Sequence, residues 1–402
     1  MNTGDTAWLL VSTALVMLMT PGLALFYAGM VRRKNVLGTI MHSFIAVAVV
    51  SVVWVLWGYS LAFGPDKGGF IGGLEWIGLR NVGGEPGPYS STVPHLAFMM
   101  FQGMFAVITP ALITGAFAER MKFGTLLVFL VVWVTVVYAP IAHWVWGGGW
   151  LQRLGALDFA GGTVVHINSG IAALAAVLVV GKRLGYGRES MEPHNITMTV
   201  LGAGLLWFGW FGFNAGSALS AGALAASAFV VTNTAAAAAA LSWMTMSWIF
   251  LKRASVLGAA SGAVAGLVAI TPASGYVGAM PAVLIGLAAG VLCYLAVQLR
   301  LKFKLDDSLD VWGVHGVGGT WGAIATGLFA GVGTTVFALQ TSVGTQVVRQ
   351  LIAVLATWGY SFVVTIVILK VLDWTMGLRV SEDEERAGLD ISQHGEAAYR
   401  LE

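Results

Sequence analysis

Cysteine, charge and long polar stretches are what this 402-residue chain has least of. Its single cysteine, Cys293, cannot close an intramolecular disulfide, and a lone thiol in an apolar run reads as packing rather than as part of a metal centre. Charged residues make up 10% of the sequence, against about 25% in a soluble domain. A net charge of +2 offers no basic surface for nucleic acid. No low-complexity tract, short repeat or soluble domain interrupts the chain. The one long polar stretch before the tail, residues 64–94, carries GPDKGG and GGEPGPYSS, which read as turns. The N-terminus lacks a basic n-region and its apolar run outlasts a signal peptide, so the first hydrophobic segment is expected to be retained.

What the chain has instead is apolar length. Hydrophobic residues reach 57%, in runs of the roughly 20 residues that a helix needs to cross a bilayer. Length and charged punctuation place eleven spans, at residues 6–31, 37–63, 95–119, 122–146, 161–181, 196–216, 222–251, 255–275, 277–299, 310–333 and 347–373. The 53 glycines suit close helix packing through small residues. The expected fold is an all-α integral membrane protein, with a membrane domain over 1–376 and a tail over 377–402. Basic clusters at Arg32-Arg33-Lys34, Arg120/Lys122, Lys182/Arg183/Arg188, Lys252-Arg253 and Arg300/Lys302/Lys304 all fall on one side. The positive-inside rule makes that side cytoplasmic, with the N-terminus outside and the C-terminus inside. Eleven spans divide as five plus five plus one, the halves inserting in opposite directions as in inverted-repeat transporters.

Two histidines lie inside apolar, glycine-rich spans: His166 in DFAGGTVVHINSG and His315 in DVWGVHGVGGTWG. An imidazole at membrane depth is costly without a partner, so both are candidates for a pathway. Asp158 precedes His166 by eight residues and Asp310 precedes His315 by five, about 12 and 7.5 Å of helix rise. Entering from opposite faces, the imidazoles can meet near the middle of a core about 30 Å thick. Each aspartate stands where its helix begins, so helix capping accounts for it as readily as a proton-relay role does. Three further clusters lie towards the outer ends of their spans: FMMFQGMFAVITP with Phe101, Gln102 and Phe105, HWVWGGGW with Trp146, and GWFGFNAGSALS with Phe213 and Ser217. Singly they read as packing or an interfacial aromatic belt. Together they suit a vestibule of aromatic faces and one hydroxyl, which recognises a small cation by cation–π attraction and a hydrogen bond.

These stretches, with FYAGMVRRKNVLGTIM and FQGMFAVITPALITGAFAER, resemble the ammonium transporter (Amt/Mep/Rh) family from about residue 5 to the tail. The resemblance implies a homotrimer of eleven-helix subunits in the cell (inner or plasma) membrane, each with its own pore, and no enzyme activity or cofactor. It assigns Phe105, Trp146 and Ser217 to an outer ammonium site, with Phe101 lining the entrance and Asp158 supporting the site. It assigns Phe105 and Phe213 to a hydrophobic gate, and His166 and His315 to the pore and a proton relay. Rh-type members lack the aromatic-and-serine outer site, so its presence implies the bacterial or archaeal Amt branch. Ammonium or ammonia is the implied substrate, methylammonium its analogue, and a PII-type signalling protein the implied partner of the tail. Chemistry agrees: an intact cation in an apolar pore costs several kcal/mol or more, so recognising it outside and passing neutral ammonia avoids most of that penalty.

The tail after Gly377 holds seven acidic and three basic residues over 379–402. Ser381 with Glu384 predicts a capping box and a short helix, expected to lie across basic inner loops such as Lys182/Arg183 and Lys252-Arg253. A solvated end is the plainer alternative. Two other functions stand beside transport. One is an ammonium sensor with little flux, disfavoured because no kinase or cyclase domain follows the tail. The other is an intramembrane enzyme, disfavoured because neither histidine has an HExxH arrangement or a carboxylate on its own turn.

Overall fold

The computed structural model describes residues 1–399, so the last three tail residues, 400–402, lie outside the described residues. Apart from a two-residue hairpin pairing Asp66–Lys67 with Ile71–Gly72, the fold is helical. Among the described residues nine helices are long and apolar enough to cross a membrane. They are α1 (Thr3–Met30), α2 (Arg33–Phe63), α3 (His95–Ala116), α4 (Phe123–Leu154), α5 (Gly162–Val180), α6 (Ile196–Gly216), α7 (Ala223–Leu251), α9 (Ala279–Lys302) and α11 (Val343–Met376). The predicted spans 255–275 and 310–333 hold two further rods. One is α8 (Val256–Ile270), which at 15 residues is short; the other is α10 (residues 312–329), whose six glycines and His315 lower its hydropathy.

Small residues draw these rods together. A Cβ on Gly212 of α6 would stand 2.6 Å from the Leu15 Cβ of α1, so only glycine permits that crossing. Four of the helices contain a wide π-helical turn: Trp54–Gly58 in α2, Val134–Tyr138 in α4, Gly162–Ile167 in α5 and residues 312–317 in α10. Such turns misalign carbonyls and are common at functional positions. In α5 the mismatch is repaired locally, since Asn168 Nδ2 donates to the Val164 carbonyl at 3.2 Å.

A charged node closes the end of the bundle that carries the tail. Glu119 is fully buried between Arg32 at 2.7 Å and Arg183 at 3.4 Å, and Arg183 in turn pairs with Asp306 at 2.7 Å. Burial alone would raise the Glu119 carboxyl, but Arg183 and Arg32 hold it below its ordinary value. Arg120, also buried, spends its guanidinium on the carbonyls of Ala116, Ala118, Gly181 and Asp306 and on Ser308. This satisfies loop carbonyls that would otherwise be buried without a donor.

The tail docks on this node. Ser381 and Glu384 form the reciprocal cap of a short helix, Glu382–Ala387, followed by a second, Leu389–His394. Glu385 accepts from Leu184 N at 2.7 Å and from Arg379 at 2.7 Å. Asp390 accepts from Gly38 N at 2.8 Å and Val36 N at 3.1 Å, capping the first turn of α2. The expectation that the tail would also reach Lys252-Arg253 needs correcting. Among the described residues its hydrogen bonds go to Lys34, Asn35, Arg120, Lys122, Phe123, Thr125, Leu184 and His194 and to the α2 start, and none goes to that pair. Backbone donors at helix starts and loops, together with the Lys34 ammonium, set where this acidic tail lands.

Candidate functional site

Five helices carry one continuous column of aromatic and imidazole rings. Phe101 and Phe105 share a face of α3, with centroids 4.9 Å apart. Phe105 meets Trp146 of α4 edge-on at 5.9 Å and lies against Phe213 of α6 at 4.3 Å. Below Phe213, His166 of α5 stacks between Trp210 at 5.3 Å and His315 of α10 at 5.4 Å. The imidazoles are joined Nδ1 to Nδ1 at 3.3 Å, so one ring donates and the other accepts. That contact turns both Nε2 atoms away from each other, and among the described residues the buried His166 Nε2 has no partner.

Glycine makes the meeting possible. α5 and α10 cross with Gly170 directly against Gly316, and a Cβ on Gly170 would fall on the Gly316 backbone. The histidines project from the wide turns just before this crossing.

The upper side chains are held by backbone. Trp146 Nε1 donates to the Asp158 carbonyl at 2.8 Å, fixing the indole plane. Ser217 Oγ donates to the Phe213 carbonyl at 2.8 Å, which leaves its lone pairs facing outward. The Asp158 carboxylate accepts four N–H bonds, from Gly161, Gly162, Thr163 and Val164, at 2.7–3.1 Å. Every lone pair of that carboxylate is taken, and it anchors the first turn of α5. Asp310 departs from its expected role. It has φ +60 and its carboxylate pairs with Arg300 at 2.6 Å, while Asp307 accepts from Trp312 N at 2.8 Å and caps α10. The cap thus lies eight residues before the histidine in both helices.

The column separates two cavities. Above it a vestibule of about 200 Å³ is lined by Phe98, Gln102, Trp146, Phe159 and Ser217 among others. Below Phe105 and Phe213 a cavity of about 10 Å³, room for about one water-sized molecule, is walled by Leu23, Ile108, Leu206, Val264 and the two histidines. A polar, aromatic antechamber thus leads to an apolar chamber whose polar groups are imidazoles.

The Ammonium Transporter Family model matches residues 7–399. This chain belongs to the ammonium transporter family. It is 54% identical to an ammonium transporter of Bacillus subtilis over 404 residues, covering 100% of this chain and 99% of the relative. Identity to Amt1 of the archaeon Archaeoglobus fulgidus is 53%, covering 99% and 100%. A sensor Amt protein of known structure shares the fold with a TM-score of 0.90 and 30% identity, covering 97% of this chain and 98% of that one. The chain is therefore a multi-pass membrane protein that transports ammonium, and not an enzyme.

Within this ammonium transporter, three features of the column escaped sequence reasoning. Trp210, the second ring against His166, was legible only as a residue one turn before Phe213. Gly170 and Gly316 are two among 53 glycines and carry no local mark. Asp307 stands beside Asp306 in LDDSLD, where three acidic residues compete for the capping role and only the backbone decides.

Proposed function

We propose that ammonium is recruited at Trp146, Phe105 and Ser217, with Phe101 lining the entrance, that it sheds a proton there, and that ammonia passes the Phe105–Phe213 gate to the His166–His315 pair. The observation that carries this reading is the chamber around the histidines, sized for about one small molecule behind two rings 4.3 Å apart. Such a chamber offers a hydrated cation nothing to replace its water, whereas ammonia finds a ring nitrogen there. The gate rings, both buried, must swing aside for passage. Asp158 acts as an anchor for Trp146 rather than as a proton carrier, because its lone pairs are all engaged. Solvent water in the open vestibule takes the proton from ammonium, and the histidine pair, one ring donating and the other accepting, is the relay that passes a proton on through the column.

The vestibule end faces outward and the tail end faces the cytoplasm of the cell membrane, on the strength of the basic clusters. All eleven helices span, α1–α5 and α6–α10 forming an inverted repeat. Supporting this are the matched wide turns of α5 and α10, each led by an aspartate cap. The functional unit is a homotrimer, and the tail, residues 377–402, couples the cytoplasmic face to a PII-type protein. The likeness to a sensor Amt protein supports a second reading, a transceptor with little flux.

One experiment tests the pathway. Purified protein in liposomes is given an inward ammonium gradient while internal pH and current are recorded, with His166→Leu and His315→Leu alongside. The wild type should transport, and both variants should lose selective flux, with K⁺ leak permitted, while still migrating as trimers. Wild-type flux and selectivity in both variants would remove the histidines from the pathway. Ammonium binding without flux in the wild type would favour the transceptor.

A further inference from the structure

The second tail helix, Leu389–His394, caps two membrane helices at once. Asp390 takes the Val36 and Gly38 amides of α2, and Gln393 Oε1 takes the Phe123 amide of α4 at 3.2 Å. The fit is close, since a Cβ on Gly38 would stand 3.0 Å from the Leu389 Cβ. His394 ends this helix against Phe123, the rings steeply inclined with centroids 5.0 Å apart. The same phenyl ring stacks on His42 of α2 at 6.2 Å, so it links two imidazoles. His42 is fully buried and His394 half-buried. Among the described residues neither buried Nε2 has a hydrogen-bond partner.

We propose that His394 is a proton sensor, and that protonating its imidazole releases the tail from the starts of α2 and α4. This rests on the reading of the tail as a cytoplasmic regulatory segment. In the docked tail a neutral imidazole leaves Nε2 as a bare nitrogen. Protonation puts a charged N–H on that buried atom, and an unpaired charged donor costs more than an unpaired neutral nitrogen. Undocking hands the donor to water. The charged and titratable groups on the elements around the ring are Lys34 and His42 on α2, Lys122 at the α4 start, Glu384 on the first tail helix, and Asp390 and Glu396 on its own segment. Most are already engaged. Lys34 donates to the Glu385 and Arg386 carbonyls, Lys122 donates to the Met376 carbonyl, Glu384 accepts from Ser381 and Gln393, and Asp390 holds the α2 amides. Burial outweighs the attraction of Asp390 and Glu396 and keeps His394 below its ordinary value. The undocked ring therefore takes its proton first as pH falls. Docking is complete above the ordinary histidine value of about 6.5 and weakens below it, by up to about tenfold per pH unit. Release strips the Val36, Gly38 and Phe123 amides of their acceptors, so α2 and α4 lose their caps together.

The test is limited proteolysis of the full-length protein, with cleavage scaled to that of an unstructured peptide by the same protease. From about pH 7.5 to about pH 5.5, wild-type cleavage within the tail should rise by up to about tenfold. His394→Phe and His394→Leu keep an apolar group on Phe123 and cannot titrate, so their tails should stay protected throughout. A wild-type rate that does not change with pH, or the same rise in both variants, would overturn the sensor. Asp390→Ala marks the released tail. If both His394 variants are cleaved as fast as Asp390→Ala at neutral pH, His394 is a packing residue and the proposal fails. Ammonium flux in liposomes, compared between wild type and His394→Phe, separates the sensor from the reading it rests on. The two should agree at neutral pH and diverge in acid. Cleavage that diverges while flux agrees at both would support proton-driven release and remove the regulatory role of the tail.

Discussion

Replacing Gly170 by alanine should break the pore without touching a pore side chain. The new Cβ would fall on the backbone of Gly316 and stand 2.8 Å from the His315 carbonyl carbon, where contacts between carbons settle at about 3.5–4.0 Å. Both partners are backbone, so no rotamer can yield, and α10 must move by about 1 Å. The His166–His315 contact is already 3.3 Å, and a further ångström removes it as a hydrogen bond. Overpacking costs about 1–3 kcal/mol and the lost buried bond about 1 kcal/mol, so the variant should lose about 2–4 kcal/mol of stability. A misplacement of that size at a reacting centre can reduce rate by about 10²-fold, so flux should fall by at least tenfold. The assays are thermal denaturation in detergent and ammonium flux in liposomes, with Gly359→Ala as the comparison, since a Cβ there meets nothing within 4 Å. Flux and stability equal to wild type in Gly170→Ala would refute the claim that this crossing sets the histidine pair.

Three more outcomes are expected. Trp146→Leu and Ser217→Ala each remove about 1 kcal/mol of cation recognition, so half-saturation should rise several-fold at near-normal maximal rate; unchanged values in liposome uptake would place recognition elsewhere. Asp307→Asn should stabilise the protein at neutral pH. Burial raises the Asp307 carboxyl to about 6, outweighing the attraction of Arg300. The unfolded chain therefore ionises first as pH rises, and the native state pays a penalty that grows between about pH 4 and 6 to about 3 kcal/mol. The asparagine variant should match wild type below pH 4 and exceed it above pH 6 in thermal scans, and a gain independent of pH would refute the ionisation argument. Finally, Asp390→Ala removes the acceptor of the Val36 and Gly38 amides and should expose the tail to limited proteolysis without altering the pore. Truncation from Ser381 should change the transport rate or its response to a PII-type protein. Identical cleavage, flux and inhibition would leave the tail a passive end.

The sequence made the long helices legible because their signal is length, which survives without any neighbour. Where helices are buried on many sides, periodicity fades, and α8 shows it, since eleven of its 15 residues are buried and no single apolar face stands out. The rings of the column were legible as types at a spacing, Phe101 with Phe105 on one face, and Trp146, Phe213 and Ser217 each near a helix end. Their closeness was not, since three separate helices supply them and no local rule measures the distance between α3 and α6.

The capping aspartates show what else stayed hidden. From sequence, Asp158 and Asp310 looked equivalent, each a carboxylate at the start of a helix bearing a histidine. Asp158 caps because Gly161, at φ +114, turns four successive amides toward one carboxylate. Asp310 takes a left-handed backbone itself and meets Arg300 instead, so the cap passes to Asp307. A motif can name the residue type that a helix start requires, but the choice among three neighbouring acids depends on which backbone conformation the loop 303–311 adopts. That loop is fixed from outside by Arg120, which binds the Asp306 carbonyl and Ser308, and by Arg183, which binds the Asp306 carboxylate. The position of His315 on α10 is therefore decided partly by two arginines of other loops, over a hundred residues away in the chain. Contacts of that range belong to the fold, and short-range sequence spacing cannot carry them.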